Sequence, residues 1–297
     1  MSIYAGKYVK DIYVLSENGT AEKVLLMTRN NHLIRNIVLI AFIMGSLSLS
    51  LMLLTKTREH NNRSITINPA TIELVQLDPP AEGDPIAIVE TTLGTVKFRL
   101  YPEYSPNAVE NFVSLAKSGY YDDTYVFESM NGAYSSMGAP NRDGSLNVSS
   151  SSDQEKIKRE LHQDLWPFRG TVCLFNNSFK RTWKQYIFGG GTYYCGSRFT
   201  LLNSVEFTDE FAEEVRESSA SQGLAEAFII NGGIPNYSQQ FTIIGQTYEG
   251  LDVVDALASL ESKSNGEYNI PIEEVKVISV KIDTYHAENT EAASEKK

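Results

Sequence analysis

The stretch from Thr91 to Asp122, TTLGTVKFRLYPEYSPNAVENFVSLAKSGYYD, decides the fold. Upstream of it Ile86 to Glu90 is strand-like, and Thr95 to Leu100 is a second such run. The four residues Thr91-Thr92-Leu93-Gly94 between them carry a hairpin pattern. Tyr101-Pro102 closes the second strand, because proline lacks the N–H that a ladder needs. Ser105-Pro106 then opens a helix, a hydroxyl residue before proline at the first helical position. Val109, Phe112, Val113 and Ala116 line one face of it as far as Gly119, so the helix packs on a core. Working outward, Phe228 to Ile230, Phe241 to Gly245 and Val275 to Ile282 read as strands, and Leu251 to Leu260 as a short helix. Strands outnumber helices, which predicts a mainly β domain, a barrel or sandwich with helices at its ends.

The whole chain has 297 residues, 42% of them hydrophobic, enough for a sizeable core. Its 26 Lys and Arg against 37 Asp and Glu give a net charge of -11, which argues against nucleic acid as a partner. Cys173 and Cys195 form no C-x-x-C, and the four histidines show no metal-ligand spacing, so no metal or cofactor is expected. One disulfide is conceivable in an oxidising compartment. The signatures of triad hydrolases, zincins and P-loop enzymes are missing, and with them any nucleophile and base pairing for a hydrolase.

Ahead of the β-rich part lies a different kind of segment. Asn36 to Thr55 holds no charge, and Ile37 to Leu54 is apolar apart from Gly45 and three serines, about the length that crosses a bilayer. The rival is a cleaved signal peptide, but 35 residues precede the run and no A-x-A-like site follows. A single-pass helix over 33–55 is therefore expected, with the large C-terminal part extracytoplasmic at the cell membrane. Flanking basic residues balance (Lys23, Arg29 and Arg35 against Lys56, Arg58 and Arg63), so orientation rests on the short leader rather than on charge. Residues 1–32 contain two β-forming runs around Asn18-Gly19, a hairpin or a mobile cytoplasmic tail. Residues 56–83 read as a tether ending in Asp78-Pro79-Pro80, and 286–297 as a flexible tail.

The Thr91–Asp122 block resembles the opening hairpin and first helix of cyclophilins, bacterial ones especially. Phe241 to Leu260, FTIIGQTYEGLDVVDALASL, resembles the family's late strand, its G-x-x-x-x-G turn and the following helix, and Ile270 to Ile282 its last strand. The resemblance covers about 84–285 and implies an eight-stranded closed barrel with two capping helices. It also implies an insertion over about 177–226, and an activity, peptidyl-prolyl cis-trans isomerisation, which the family performs with an arginine beside an apolar proline pocket.

Laid against the family pattern without gaps from Tyr121-Asp122, the segment Val126 to Gly138 keeps Gly132 and Gly138 but changes the chemistry. Glu128 stands at the arginine position, Ala133 at the pocket phenylalanine and Ser136 at the substrate-binding glutamine. A carboxylate has no proton to give an imide nitrogen. Counting back from Gly245 places Phe228 as a pocket aromatic, with Asn236, Tyr237 and Phe241 where tryptophan, leucine and histidine are frequent. Asn176 matches the asparagine that holds peptide backbone. Each has a plainer reading: Phe228 as a core aromatic, Asn176 as a turn cap, Glu128 as a solvated carboxylate.

Phe179 to Phe207 is rich in Trp, Tyr and Phe, and Gly189-Gly190-Gly191 suits the turn of an extra hairpin between Gln185–Phe188 and Thr192–Cys195. Its alternatives are a binding surface, or a source of a replacement cation in Arg181 or Arg198. Two functions follow. One is a membrane-tethered isomerase, weak or inactive, acting on proline-containing segments of exported proteins. The other is a non-catalytic binding module that uses its groove or its aromatic insertion.

Overall fold

The structure, a computed structural model, describes residues 12–15, 21–24, 36–42, 44–46, 48, 65–147, 156–183 and 191–287. The chain divides into two compact units, 1–57 and 58–297. In the first, β1 (Ile12–Leu15) and β2 (Ala21–Val24) pair antiparallel, with Ile12 opposite Val24. The Asn18-Gly19 turn expected between them lies outside the described residues. Residues 36–42, 44–46 and 48 are helical, but among the described residues no helix is long and apolar enough to cross a membrane. The rest of the expected span, the 149–152 loop, the Gln185–Phe188 arm and the tail beyond 287 lie outside the described residues.

The second unit is a barrel. Strands β3 (Pro85–Thr91) and β4 (Gly94–Leu100) are the predicted hairpin, and α1 (Pro106–Lys117) is the predicted helix. Then come β5 (Thr124–Met130), β6 (Tyr134–Ala139), the short β7 (Ile157–Lys158), β8 (Thr171–Lys180) and β9 (Thr192–Leu202). Two helices, α2 (Asp209–Ser218) and α3 (Gln222–Asn231), and a 3-10 turn at Pro235–Tyr237 lead to β10 (Thr242–Glu249). Helix α4 (Leu251–Ala258), β11 (Ser262–Ser264), β12 (Asn269–Pro271) and β13 (Lys276–Thr284) complete the chain. The sheet runs β6-β5-β13-β3-β4-β10-β8-β9, and β9 pairs back onto β6, closing eight antiparallel strands; β7 extends the free end of β9.

Inward-facing residues fill the barrel: Val89, Val96, Phe98, Met137, Phe199 and Ile244 are fully buried. Helix α1 plugs one end with Phe112, whose ring lies 5.8 Å from Phe98 and 5.4 Å, edge-on, from Phe199. Helix α4 closes over the barrel with Val254 and Leu257. It starts at Gly250, φ 89°, where any Cβ would collide with the Thr95 carbonyl oxygen, so only glycine makes this strand-to-helix corner.

Three sequence expectations are corrected. The run Phe228–Ile230 is not a strand but the last turn of α3, a helix capped at its start by the Ser221 hydroxyl on the Leu224 N–H at 3.2 Å. The segment 192–202 is not part of an extra hairpin: β8 and β9 are barrel strands, Lys180 opposite Thr192 and Val172 opposite Leu201. Between β9 and β10 the α2–α3 segment builds a satellite core of Val215, Leu224 and Phe228 against Trp166 and Phe168.

Third, the segment from Ile67 to Gln76 packs against the domain where a tether is expected, while 77–83 stay mostly exposed. Ile67, Ile72 and Leu74 join the satellite core. Gln76 is 4% exposed; its Nε2 donates to Thr171 Oγ1 (2.9 Å) and Gln246 Oε1 (3.0 Å), and its Oε1 accepts from the Trp166 backbone N–H. The tether reading rests on the Asp78-Pro79-Pro80 end, whereas Ile67, Ile72 and Leu74 ahead of it are apolar anchors and Gln76 adds a buried amide. Gln76→Ala strands these partners and should lower stability by about 2 kcal/mol, or roughly 4–8 °C in Tm. An unchanged Tm in thermal unfolding of the full chain would mean that the segment is a tether after all.

Candidate functional site

The closure of β9 on β6 sets Ser136 opposite Thr200 and Met137 opposite Phe199. Side chains alternate along a strand, so Met137 and Phe199 enter the core while Ser136 and Thr200 share the outer face. On β5 the register slips between Val126, opposite Met137, and Glu128, opposite Ser136. That bulge turns Glu128 onto the same outer face as Ser136.

Glu128 is no solvated loop carboxylate: it is 6% exposed. The Ser136 hydroxyl donates to its Oε2 at 3.1 Å, and the Tyr134 phenol reaches Oε1 at 3.5 Å. Ser136 Oγ also lies 3.0 Å from Thr200 Oγ1. Ser136 has one proton, and with it on Glu128 the Thr200 hydroxyl donates to Ser136. Burial raises the Glu128 pKa above the ordinary carboxylate value, and its hydroxyl donors and the Arg198 charge only partly offset this. Burial and the neighbouring Glu128 likewise push the Tyr134 phenol up, keeping it a donor.

Above this chain of hydroxyls opens a pocket lined by Tyr134, Cys173, Phe175, Leu202, Tyr237 and Phe241, with Thr200 at its floor. Tyr237 packs on Phe241 at 5.3 Å and on Tyr134 at 6.1 Å. Its free volume is about 50 Å³, well under the ~150 Å³ of a core cavity that holds benzene. A pyrrolidine ring enters by displacing a tyrosine or by protruding from the mouth.

Of the residues singled out from the sequence, Tyr237 and Phe241 line the pocket and Glu128 and Ser136 lie beneath it. Ala133 is half-buried beside them, its carbonyl accepting from the Asn203 N–H at 2.7 Å. Asn176 Nδ2 donates to the Gln240 carbonyl at 2.7 Å, tying β8 to the loop before β10, which is the capping reading. Asn236 is exposed on the 3-10 turn and faces away from the pocket, beside Trp166 and Phe211. Phe228 is not a pocket aromatic: it packs on Phe168 at 4.6 Å in the satellite core, because the count back from Gly245 runs through the inserted helices. The strand residue at the pocket is Thr200, together with Phe175 and Leu202. Thr200 and Leu202 lie in the run Thr192–Leu202, which pairs with β8 along its length and with β6 at its end, and Phe175 lies on β8.

Arg198 does not line the pocket. It is 5% exposed, its guanidinium stacked among Phe127 (5.2 Å), Phe175 (5.0 Å) and Tyr268 (5.7 Å), with Nη1 donating to the Gly144 carbonyl and to Tyr268 Oη. Phe175 stands between this cage and the pocket. Arg181 is exposed over the Phe179 ring at 4.9 Å. Cys173 and Cys195 are both buried, and the Cys195 Sγ donates to the Ile157 carbonyl at 3.4 Å.

The profile of the family "Cyclophilin type peptidyl-prolyl cis-trans isomerase/CLD" matches residues 86–282. The chain belongs to the cyclophilin family. A provisionally named peptidyl-prolyl cis-trans isomerase of Staphylococcus saprophyticus is 24% identical over 70% of this chain and 96% of its own length. One of Staphylococcus epidermidis is 25% identical over 68% and 96%. Among solved structures, a cyclophilin type isomerase of Cryptosporidium parvum, crystallised in the presence of the dipeptide Ala-Pro, is 19% identical with a TM-score of 0.48, covering 67% of this chain and 99% of its own.

In this cyclophilin the raised Glu128 pKa has a signed consequence. The folded chain binds that proton more tightly than the unfolded chain, so stability is greatest below the ordinary glutamate range and falls as pH rises through it toward the folded pKa. Glu128→Gln keeps the hydrogen-bonding shape without the charge. Its Tm should exceed that of the parent near pH 7 and converge with it near pH 4 in scanning calorimetry. A Tm below the parent near pH 7 would show that the charge itself is held by a partner.

Proposed function

We propose that the protein is a membrane-tethered cyclophilin whose groove binds proline-containing segments of exported proteins and isomerises them weakly or not at all. One observation carries the second half. Prolyl isomerisation must weaken amide resonance against a barrier of about 18–20 kcal/mol, and the family does so with a cation. Here the corresponding strand position holds Glu128, a buried acid whose donors Ser136 and Tyr134 point at itself and not at a ligand. The neighbouring guanidinium, Arg198, is committed to its aromatic cage. Thr200 leaves the pocket without an aromatic floor.

The tether rests on the uncharged run 36–55 and on the described part of it. Ile37, Leu39, Ile40 and Phe42 are 57%, 57%, 60% and 76% exposed, so among the described residues the apolar side chains of this helix are not covered. Helices that are apolar all round are buried in a large core or in a bilayer. Placement of the barrel outside the membrane is part of this proposal. A reader of proline segments without turnover is the form of this function that the residues favour.

Exchange spectroscopy on an Ala-Pro peptide with catalytic amounts of the full chain in detergent micelles tests the proposal. The cis-trans rate should stay within about tenfold of the uncatalysed one, tens to hundreds of seconds, and Glu128→Arg alone should not restore a fast rate, since Ala133, Ser136 and Thr200 remain. A rate hundreds of times faster for the parent chain would make it an ordinary isomerase. The chain should stay with carbonate-washed membranes, and its release into the soluble fraction would remove the tether.

A further inference from the structure

The inserted helices build a second groove that the isomerase reading does not use. Phe211 and Val215 of α2, Leu224 and Phe228 of α3 and Ile67 of the N-terminal lead form its apolar walls, with Trp166 among the lining residues. Its free volume is about 270 Å³, against about 50 Å³ for the pocket over Glu128. That exceeds the ~150 Å³ which suffices for a benzene-sized ring.

Two buried polar atoms of its lining residues have no hydrogen-bond partner: the indole Nε1 of Trp166, which is 2% exposed as a residue, and the Oε1 of Gln239. The Gln239 amide is oriented by its Nε2, which donates to the His162 carbonyl at 3.3 Å, so the oxygen is the end left over. Its backbone is held at φ 60°, a left-handed conformation that a glutamine adopts only under constraint. An unmet buried donor or acceptor is costly. One donor and one acceptor at the same apolar groove match a peptide unit, which offers a carbonyl to the indole and an N–H to the glutamine.

The rim supplies a sign. Helix α2 presents Asp209, Glu210, Glu213, Glu214 and Glu217 within ten residues, and its Arg216 is taken up by Glu213 and Glu226, both at 2.8 Å. Glu214 is itself a lining residue. The groove also adjoins the first one: of the 3-10 turn, Tyr237 lines the pocket over Thr200, while Pro235 and Asn236 line the second groove.

We propose that this groove is a second peptide subsite, taking an apolar side chain flanked by lysine or arginine from the same client whose proline lies in the first groove. The inference rests on the proposed reading for the nature of the client, and the test separates the two. The full chain in detergent micelles is titrated, by fluorescence anisotropy, with labelled peptides in which Ala-Pro, a Gly-Ser spacer and Lys-Leu-Lys follow one another. Companion peptides carry Glu-Leu-Glu in place of Lys-Leu-Lys, or Ala-Ala in place of Ala-Pro. The Lys-Leu-Lys peptide should bind about tenfold more tightly than the Glu-Leu-Glu peptide at low salt. Ser218→Trp, at the exposed lip, and the double variant Glu214→Lys, Glu217→Lys should each abolish that preference without changing the Tm. Equal binding of the two peptides, or a preference that survives both variants, overturns the inference. A preference that persists with Ala-Ala, with no gain from proline, leaves the subsite standing and removes the proline reading.

Discussion

The pairing of β6 with β9 is the constraint on which the rest depends. Four residue pairs, from Tyr134 opposite Leu202 to Met137 opposite Phe199, turn an open sheet into a barrel. The same four pairs sort side chains between two environments, since a slip of one residue would exchange them. Met137, Phe199 and Leu201 go to the core, where α1 delivers Phe112 against Phe199. Tyr134, Ser136, Thr200 and Leu202 go to the outer face, where they form the floor and wall of the pocket. Core and site are two faces of one ladder. The interior keeps the apolar filling that any small barrel needs, while the outer face is free to vary without loss of closure.

That separation explains how a cyclophilin fold coexists with an altered groove. The bulge before Glu128 aims whatever stands there at the groove, and here it is an acid. A lone ionised carboxylate in such a place is costly. The structure meets the cost with the Tyr134 and Ser136 hydroxyls, with Thr200 behind Ser136, and with the charge of Arg198 nearby. These groups are mutually committed, so substitution at one position alone leaves a mismatched set. The inserted α2–α3 segment adds what a compact barrel lacks, a larger apolar groove on the far side of the Pro235–Tyr237 turn.

How far the sequence could be read follows from where the signal is local. The β3–β4 hairpin, α1 and α4 were legible because Gly94, the Ser105-Pro106 start and Gly250 mark boundaries by local sterics, and one periodicity runs between them. Strand β9 was misread, because its aromatic run follows three glycines that suggest a self-contained hairpin, whereas its partner strands β8 and β6 are set by long-range pairing. Phe228 was misplaced for a related reason: a count without gaps passed through two helices whose caps, Thr208 and Ser221, sit in an otherwise polar stretch. Glu128 was found by register with the glycines Gly132 and Gly138, but its burial was not legible, since that depends on Ser136 and Thr200 meeting across the closure. Gln76 was invisible from composition, because its three partners come from residues 90 or more positions away.

Closure of the barrel installs a buried acid, Glu128, joined through Ser136 and Thr200 to the pocket above it. Carbon-13 detection of the Glu128 carboxyl through a pH titration of the full chain, with and without an Ala-Pro peptide, tests it most directly. The resonance should titrate above the ordinary glutamate range and move further when the peptide fills the pocket and removes remaining water. A carboxyl that titrates at the ordinary value and ignores the peptide would contradict the account.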